Sequence, residues 1–344
     1  MANVLDIRRR IRSVRSTRQI TKAMKMISTA RLRKAQDRAL AARPYAQMLT
    51  NVLKSLVKRV EVIDPDTGKA KHPLLEIREE KTIQLIIVTA DKGLAGAFNT
   101  NVLKAASRFM QTKSDKNIDI AAIGRKARDF SRRRFPQRPE NSETRVGRVQ
   151  LTAERVGLGN IEFALAREMA ENVIDRYCKG EIDAVYLVFN EFKSVIAQRI
   201  VVDRILPIEE IGEIDVRQAE ELSKKDREAA AQAAAASGIS LEAADTSAID
   251  EHAAQFGTAQ VDYIYEQPPK ELFEGLLPKY VAVQIFRALL ESNAAEQAAR
   301  MTAMESATNN ASDLIDSLTL KMNRARQASI TKEIIEIVSG AAAL

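Results

Sequence analysis

Met301-Thr-Ala-Met304-Glu-Ser-Ala307-Thr-Asn-Asn-Ala311-Ser-Asp-Leu314-Ile-Asp-Ser-Leu318 carries apolar residues at Met304, Ala307, Ala311, Leu314 and Leu318, in steps of three and four. That spacing is the seam of a coiled coil. The stretch sits inside a longer one, Val281 to Leu344, which has no proline and a single glycine, Gly340. Ala, Leu, Met, Glu, Gln, Lys and Arg dominate it, and all are good helix formers. Pro278, just upstream, suits the first turn of a helix, where its missing N–H is no loss. At 1.5 Å per residue, such a helix runs about 95 Å. A helix that long needs a partner along its length, because packing of an apolar face supplies most helical stability.

The partner is at the other end of the chain. Residues 3–59 lack glycine and hold one proline, Pro44. Ile7, Ile11 and Val14 are spaced four and three, as are Ile20, Met24 and Ile27, and later Leu49, Leu53 and Leu56. The phase slips between these groups, so the helix is expected to drift around its mate. Two long terminal helices around a globular middle predict an antiparallel coiled-coil shaft carrying a head. The same pattern also suits two ordinary helices of a bundle.

The middle reads as α/β. Ile83-Gln-Leu-Ile-Ile-Val88 is a strand covered on both faces, Asp91 to Gly96 a turn, and Ala97 to Gln111 a helix. Ile118 to Ile123 is a second strand, Arg125 to Arg134 a short basic helix, Pro136 to Val149 irregular, and Asn160 to Lys179 helical. Ala184 to Asn190 is a third strand. Glu191-Phe-Lys193 is too short for a parallel crossover, so Ser194 to Ile205 returns antiparallel. The fold class is therefore α/β: a long antiparallel coiled coil of N- and C-terminal helices plus an α/β head with a mostly parallel sheet. The expected divisions are 1–60 for the N-terminal shaft helix, 61–81 for a connector and 82–211 for the head. An acidic, Ala-rich insertion follows at 212–260, then a final head strand at 261–269 and the C-terminal shaft helix at 270–344. Ala229 to Ala236 in the insertion forms a helix with little to pack against, and the segment as a whole reads as an arm added at a sheet edge.

Charge is uneven. From Arg8 to Lys34 there are eleven Lys or Arg and no acid, whereas Glu209 to Asp262 hold thirteen acids and four bases; the whole chain is +7. A basic helix suits nucleic acid, an anionic membrane, an acidic protein surface or plain solvent. The absence of Trp argues against stacking on single-stranded nucleic acid. One cysteine, Cys178, excludes an internal disulfide, and two histidines, His72 and His252, show no ligand spacing.

No catalytic motif appears. Asp91-Lys-Gly-Leu-Ala-Gly96 follows a strand and opens a helix, where phosphates often bind, but the P-loop frame is absent. Gly157-Leu-Gly159 is no dinucleotide fingerprint, since Glu162 stands where the third glycine belongs. Both glycine turns read as close strand–helix packing. Catalytic, metal-binding and cofactor-binding residues are expected to number none.

Three blocks carry a resemblance: Ile11-Arg-Ser-Val-Arg-Ser-Thr17-Arg-Gln-Ile-Thr21-Lys-Ala-Met24-Lys-Met, Asp91-Lys92-Gly93-Leu94-Ala95-Gly96-Ala97-Phe98-Asn99, and Asn323-Arg-Ala-Arg326-Gln327-Ala-Ser-Ile330-Thr331-Lys-Glu333-Ile-Ile-Glu336. In that order they resemble the γ subunits of F-type ATP synthases. Residues 212–260 depart from that family's common pattern, and Ala95 stands where the family has a cysteine. The resemblance implies a non-catalytic rotating stalk that carries torque between a proton-driven c-ring and the catalytic sites of a ring of α and β subunits. It implies an ε subunit as a further partner, no nucleic acid, and a peripheral place on the cytoplasmic face of the bacterial inner membrane. By the same resemblance, Met24, Arg326, Gln327 and Thr331 contact the β subunit. Ile334, Ile335, Ile337, Val338 and Leu344 form the shaft tip inside the α/β sleeve. The reading from composition alone that stays beside it is a basic coiled-coil nucleic-acid-binding protein with an α/β head.

Overall fold

The structure is a computed structural model, and it describes residues 4–57, 59–60, 71–135, 147–157, 161–208, 215–239 and 265–342. Helix α1 (Val4–Val57) and the last helix, α6 (Pro269–Ala342), are the longest elements. They span about 80 and about 110 Å at 1.5 Å per residue. Both contain an internal proline, Pro44 and Pro278. Pro278 therefore lies inside α6 and not in its first turn. An interior proline costs about 3 kcal/mol. Phe273, Leu277, Tyr280 and Val281, buried on both sides of it, offset that cost and keep the helix continuous.

Between the two helices lies a six-stranded sheet, ordered β3-β2-β1-β4-β5-β6. Its strands are β1 (Thr82–Val88), β2 (Asn117–Ile123), β3 (Val149–Arg155), β4 (Ala184–Phe192), β5 (Gln198–Leu206) and β6 (Asp215–Glu221). The first four run parallel; β5 turns back on β4, and β6 on β5. Helices α2 (Phe98–Thr112) and α3 (Arg125–Arg134) cover one face, over Ile83, Leu85 and Ile87. Helix α4 (Phe163–Cys178), the end of α1 and the start of α6 cover the other, over Ile86 and Val88. The alternate residues of β1 are thus buried on both faces, as its unbroken apolar run requires.

Two strands are additional to those read from sequence. β3 begins at Val149, where an irregular segment was expected to end. β6 is Asp-Val-Arg-Gln-Ala-Glu-Glu, paired with β5 from Arg199↔Glu221 to Arg204↔Asp215. The sheet therefore extends past residue 211 into the segment read as an insertion. Helix α5 (Lys224–Ala235), capped by Ser223, whose hydroxyl accepts from the Asp226 N–H at 3.2 Å, also has a partner. Its Ala230, Ala233 and Ala234 are buried against Leu32 and Ala35 of α1 and Ala294, Ala295 and Ala298 of α6. The helix expected to pack on little instead lies on the shaft, because its alanine face lets the backbones approach closely. Residues 61–70 of the expected connector and 261–264 of the strand expected at 261–269 lie outside the described residues, as does Leu158-Gly159; residues 265–268 are not strand, and the last helix has already begun at Pro269.

The close packing expected at the two glycine turns is not seen at Gly93 or Gly157, where an added Cβ would meet nothing within 4 Å; the turn after β1 is held by hydrogen bonds instead. The Asp91 carboxylate accepts from the N–H of Arg125 and of Gly157, both at 2.9 Å, and so joins three loops. Arg300 of α6 donates to the Gly93 carbonyl at 3.4 Å, and a Cβ on Gly96 would meet Ala303 at 3.9 Å. At Gly124 only glycine fits: φ is +89°, and a Cβ would fall 2.1 Å from the Thr89 carbonyl oxygen.

Candidate functional site

Three zones hold α1 against α6. At the lower end Leu49, Leu53 and Leu56 meet Phe273, Leu277 and Tyr280 in the head core. In the middle Leu32 and Ala35 meet Ala294, Ala298 and Met301. At the upper end Ile7 and Ile11 meet Ile315, flanked by Val14, Leu318 and Met322.

Between the middle and upper zones the seam is polar. Thr21 and Thr308 share a hydroxyl hydrogen bond of 2.8 Å, Arg18 donates to Ser312 at 3.4 Å, and Lys25 pairs with Glu305 at 2.6 Å. Thr21 and Ser28 are the buried residues of α1 here, while Ile20 and Ile27 are 57% and 53% exposed. This corrects the seam read from sequence. The heptad phase set by Ile7 and Ile11 continues through Thr21, Ser28 and Leu32 without the expected slip. The apolar group Ile20, Met24 and Ile27 is turned off the seam, with Met24 half-buried at its edge. On α6 the seam takes Met304, Ala311 and Ile315, and leaves Leu314 48% exposed. Replacing Thr308 alone by valine leaves the Thr21 hydroxyl without its cross-helix partner, at an expected cost of about 1 kcal/mol. Thr21→Val with Thr308→Val is expected to restore stability, since both polar groups then leave together. Urea denaturation of the three variants measures the difference.

Beyond Ala325, α6 has no other helix beside it among the described residues, α1 being described from Val4 onward. Ile330, Ile334, Ile335, Ile337 and Val338 are all between 48% and 71% exposed. Among the expected tip residues, Ile334, Ile335, Ile337 and Val338 thus share one free helix, and Leu344 lies outside the described residues. Arg326, Gln327 and Thr331 are exposed on the same helix. Gln327 and Thr331 stack one turn apart, the Thr331 hydroxyl donating to the Gln327 carbonyl at 2.9 Å. Arg326 projects about 100° round from Gln327. The three therefore form an arc round the helix.

Sequence reasoning missed the junction where the shaft enters the head. Arg287 of α6 donates to Glu291 at 2.8 Å and to Glu191 of β4 at 3.1 Å. Glu191 also binds Arg199 of β5. Burial raises the Glu191 carboxyl, but Arg199 and Arg287 outweigh it and hold it below the ordinary range. Burial wins at Asp203, pushed up to about 7 against the pull of Arg287, and it also raises Glu291. Only the pairing of β4 with β5 and the docking of α6 bring these residues together, so no local pattern announces them.

Among the described residues, no group of three or more His, Cys, Asp or Glu is placed to hold a metal ion, and no helix is long and apolar enough to cross a membrane. A two-helix shaft rooted in an α/β head, with exposed apolar residues along the end of one helix, defines a stalk-like protein. A family model described as ATP synthase matches residues 3–344. The ATP synthase gamma chain of Solibacter usitatus is 46% identical over 344 residues, all of this chain and 99% of that one. That of Desulforamulus reducens is 43% identical over 345 residues, the full length of both. Both alignments therefore span residues 212–260. A chain of the Euglena gracilis mitochondrial ATP synthase superposes with TM-score 0.55 at 17% identity, covering 99% of this chain and 94% of that one. A chain of the central stalk and c-ring of the Tetrahymena thermophila mitochondrial ATP synthase gives 0.52 at 23%, covering 84% and 99%. The chain belongs to the ATP synthase gamma-chain family. It is a non-catalytic subunit of the central stalk, and the nucleic-acid reading finds no support in these relatives.

Proposed function

We propose that the shaft turns inside a ring of α and β subunits, with the head seated on a c-ring beside an ε subunit. The assembly is held peripherally at the cytoplasmic face of the bacterial inner membrane. The observation that carries this reading is the free end of α6. A single helix with five half-exposed or more exposed branched apolar residues is unstable alone in water. It needs an apolar sleeve that grips it without strong directional bonds. The polar upper seam fits the same reading, because it leaves Ile20, Met26 and Ile27 facing outward, available to a surrounding ring.

In this reading Arg326, Gln327 and Thr331 meet an acidic loop of one β subunit at a time, and Met24, beside the exposed Lys22 and level with Glu305 and Thr308, makes a separate β-subunit contact about 30 Å lower on the shaft. Charge-assisted hydrogen bonds from Arg326 supply a directional contact that breaks and re-forms as the shaft turns. Arg326→Ala with Gln327→Ala is expected to lower ATP synthesis in membrane vesicles several-fold while the complex still assembles. Wild-type synthesis rates in that double variant would remove these residues from the coupling path.

A further inference from the structure

The unit β6–α5 ties the edge of the sheet to the middle of the shaft, and neither the shaft seam nor the tip accounts for it. Its lower end is fixed to β5. Backbone pairing runs from Arg204↔Asp215 to Arg199↔Glu221, and the Leu222 N–H extends it to the Gln198 carbonyl at 3.3 Å. Only Leu222 and Ser223 separate β6 from α5. That joint is stiff, because Ser223 caps α5 and Arg227, near the start of the helix, binds back to Glu221 at 3.0 Å.

The upper end is fixed to the shaft. Ala230, Ala233 and Ala234 are buried there with Leu32 of α1 and Ala298 of α6. Gly238, at φ +63°, ends the helix, and the Ile239 N–H returns to the Ala234 carbonyl at 3.0 Å. Lys25 and Arg33 of α1 donate to the Ala236 and Gly238 carbonyls just past that end, at 3.4 and 3.3 Å. Cations there also complement the helix dipole. The Lys25 ammonium holds Glu305 of α6 at 2.6 Å as well, so one side chain joins all three helices. Leu32 lies about 25 Å up α1 from Leu49 of the head core. Packed helices lie about 8–10 Å apart, so a force carried by α5 reaches the shaft off its axis and well above its root. A rod held at two separated points resists tilt and twist better than a rod held at one.

We propose that β6–α5 is a brace that carries torque between the sheet edge and the shaft, in parallel with the root of the shaft in the head core. The inference rests on the reading of the shaft as a rotor. It makes Lys25, Arg33 and the alanine face of α5 the residues that position the shaft against the head under load. The short, capped joint at Leu222 and Ser223 suits this role, since a flexible linker passes little force.

The test uses the full chain assembled with its α and β subunits, the ring immobilised and held still by a non-hydrolysable ATP analogue. A bead on Cys178, the chain's one cysteine and exposed at the end of α4, reports the angular fluctuation of the head against the ring. Three glycines inserted between Leu222 and Ser223 leave β6 and α5 each docked and break only the path of force. That variant is expected to raise the angular variance about twofold, because losing one of two comparable parallel springs halves the stiffness. Ala233→Glu with Ala234→Glu, which lifts α5 off the shaft, is expected to raise it equally. A contact that only stabilises the fold predicts otherwise: unfolding at lower urea in the alanine variant, and the parent's variance in the glycine variant. The parent's variance in either variant overturns the brace. A parent complex that does not rotate when ATP is added overturns the rotor reading, and the brace with it.

Discussion

Replacing Arg287 by alanine is expected to destabilise the full-length chain by about 3 kcal/mol, the lower end of the cost of leaving a buried carboxyl without its partner, since the guanidinium is partly exposed while Glu191 and Glu291 are buried. The guanidinium bonds Glu191 on the sheet and Glu291 on its own helix, and its field also opposes the ionisation penalty of Asp203. Removal leaves the Glu291 carboxyl, 6% exposed, without its donor, and Glu191 with Arg199 alone. The cost comes from stranded polar groups more than from lost attraction. Arg287→Met with Glu291→Met is therefore expected to be less damaging than Arg287→Ala, although it changes more, since Glu191 keeps Arg199. Urea denaturation of the two variants separates the explanations. If the double variant is the less stable, the pair contributes net attraction and the stranded-charge account fails.

Asp203→Asn is expected to change how stability depends on pH. The Asp203 carboxyl is pushed up to about 7 from an ordinary 3.8, chiefly by burial. In the unfolded chain it ionises near pH 4; in the folded protein it keeps its proton until about pH 7. Its contribution is thus fully present below pH 4, declines between pH 4 and 7, and is lost above 7. Asparagine carries no such titration. The variant should gain on the order of 2–4 kcal/mol relative to the parent at pH 8, and nothing from this source at pH 4. Denaturation midpoints measured across that range test it. Parallel curves for the two proteins would show that Asp203 ionises freely in the folded state.

Both residues lie where the sequence was silent. Glu191 and Arg287 are 96 positions apart, and neither sits in a motif. The pairing of β6 was equally hidden, because Asp-Val-Arg-Gln-Ala-Glu-Glu has little apolar content and gains its place from backbone bonds to β5. An edge strand with one polar face does not show the apolar run that marks β1.

The two terminal helices, the doubly covered strands β1, β2 and β4, the antiparallel return of β5 and the lack of a catalytic motif were all legible in the residue order. Each of these depends on local properties: helix propensity sustained without glycine, apolar periodicity, and loop length. Tertiary structure alone decided which apolar stripe of the shaft faces inward. Ile20, Met24 and Ile27 have the spacing of a seam, yet Thr21, Lys25 and Ser28 occupy it, facing Thr308, Glu305 and the alanine-rich stretch of α6. Periodicity reports that a helix has an apolar face; it does not report whether that face meets the partner helix or another molecule. Here the well-packed zones at Ile7 and Ile11 above and Leu32 below fix the heptad phase. The residues between must follow it, because a helix cannot rotate one stretch without rotating its neighbours.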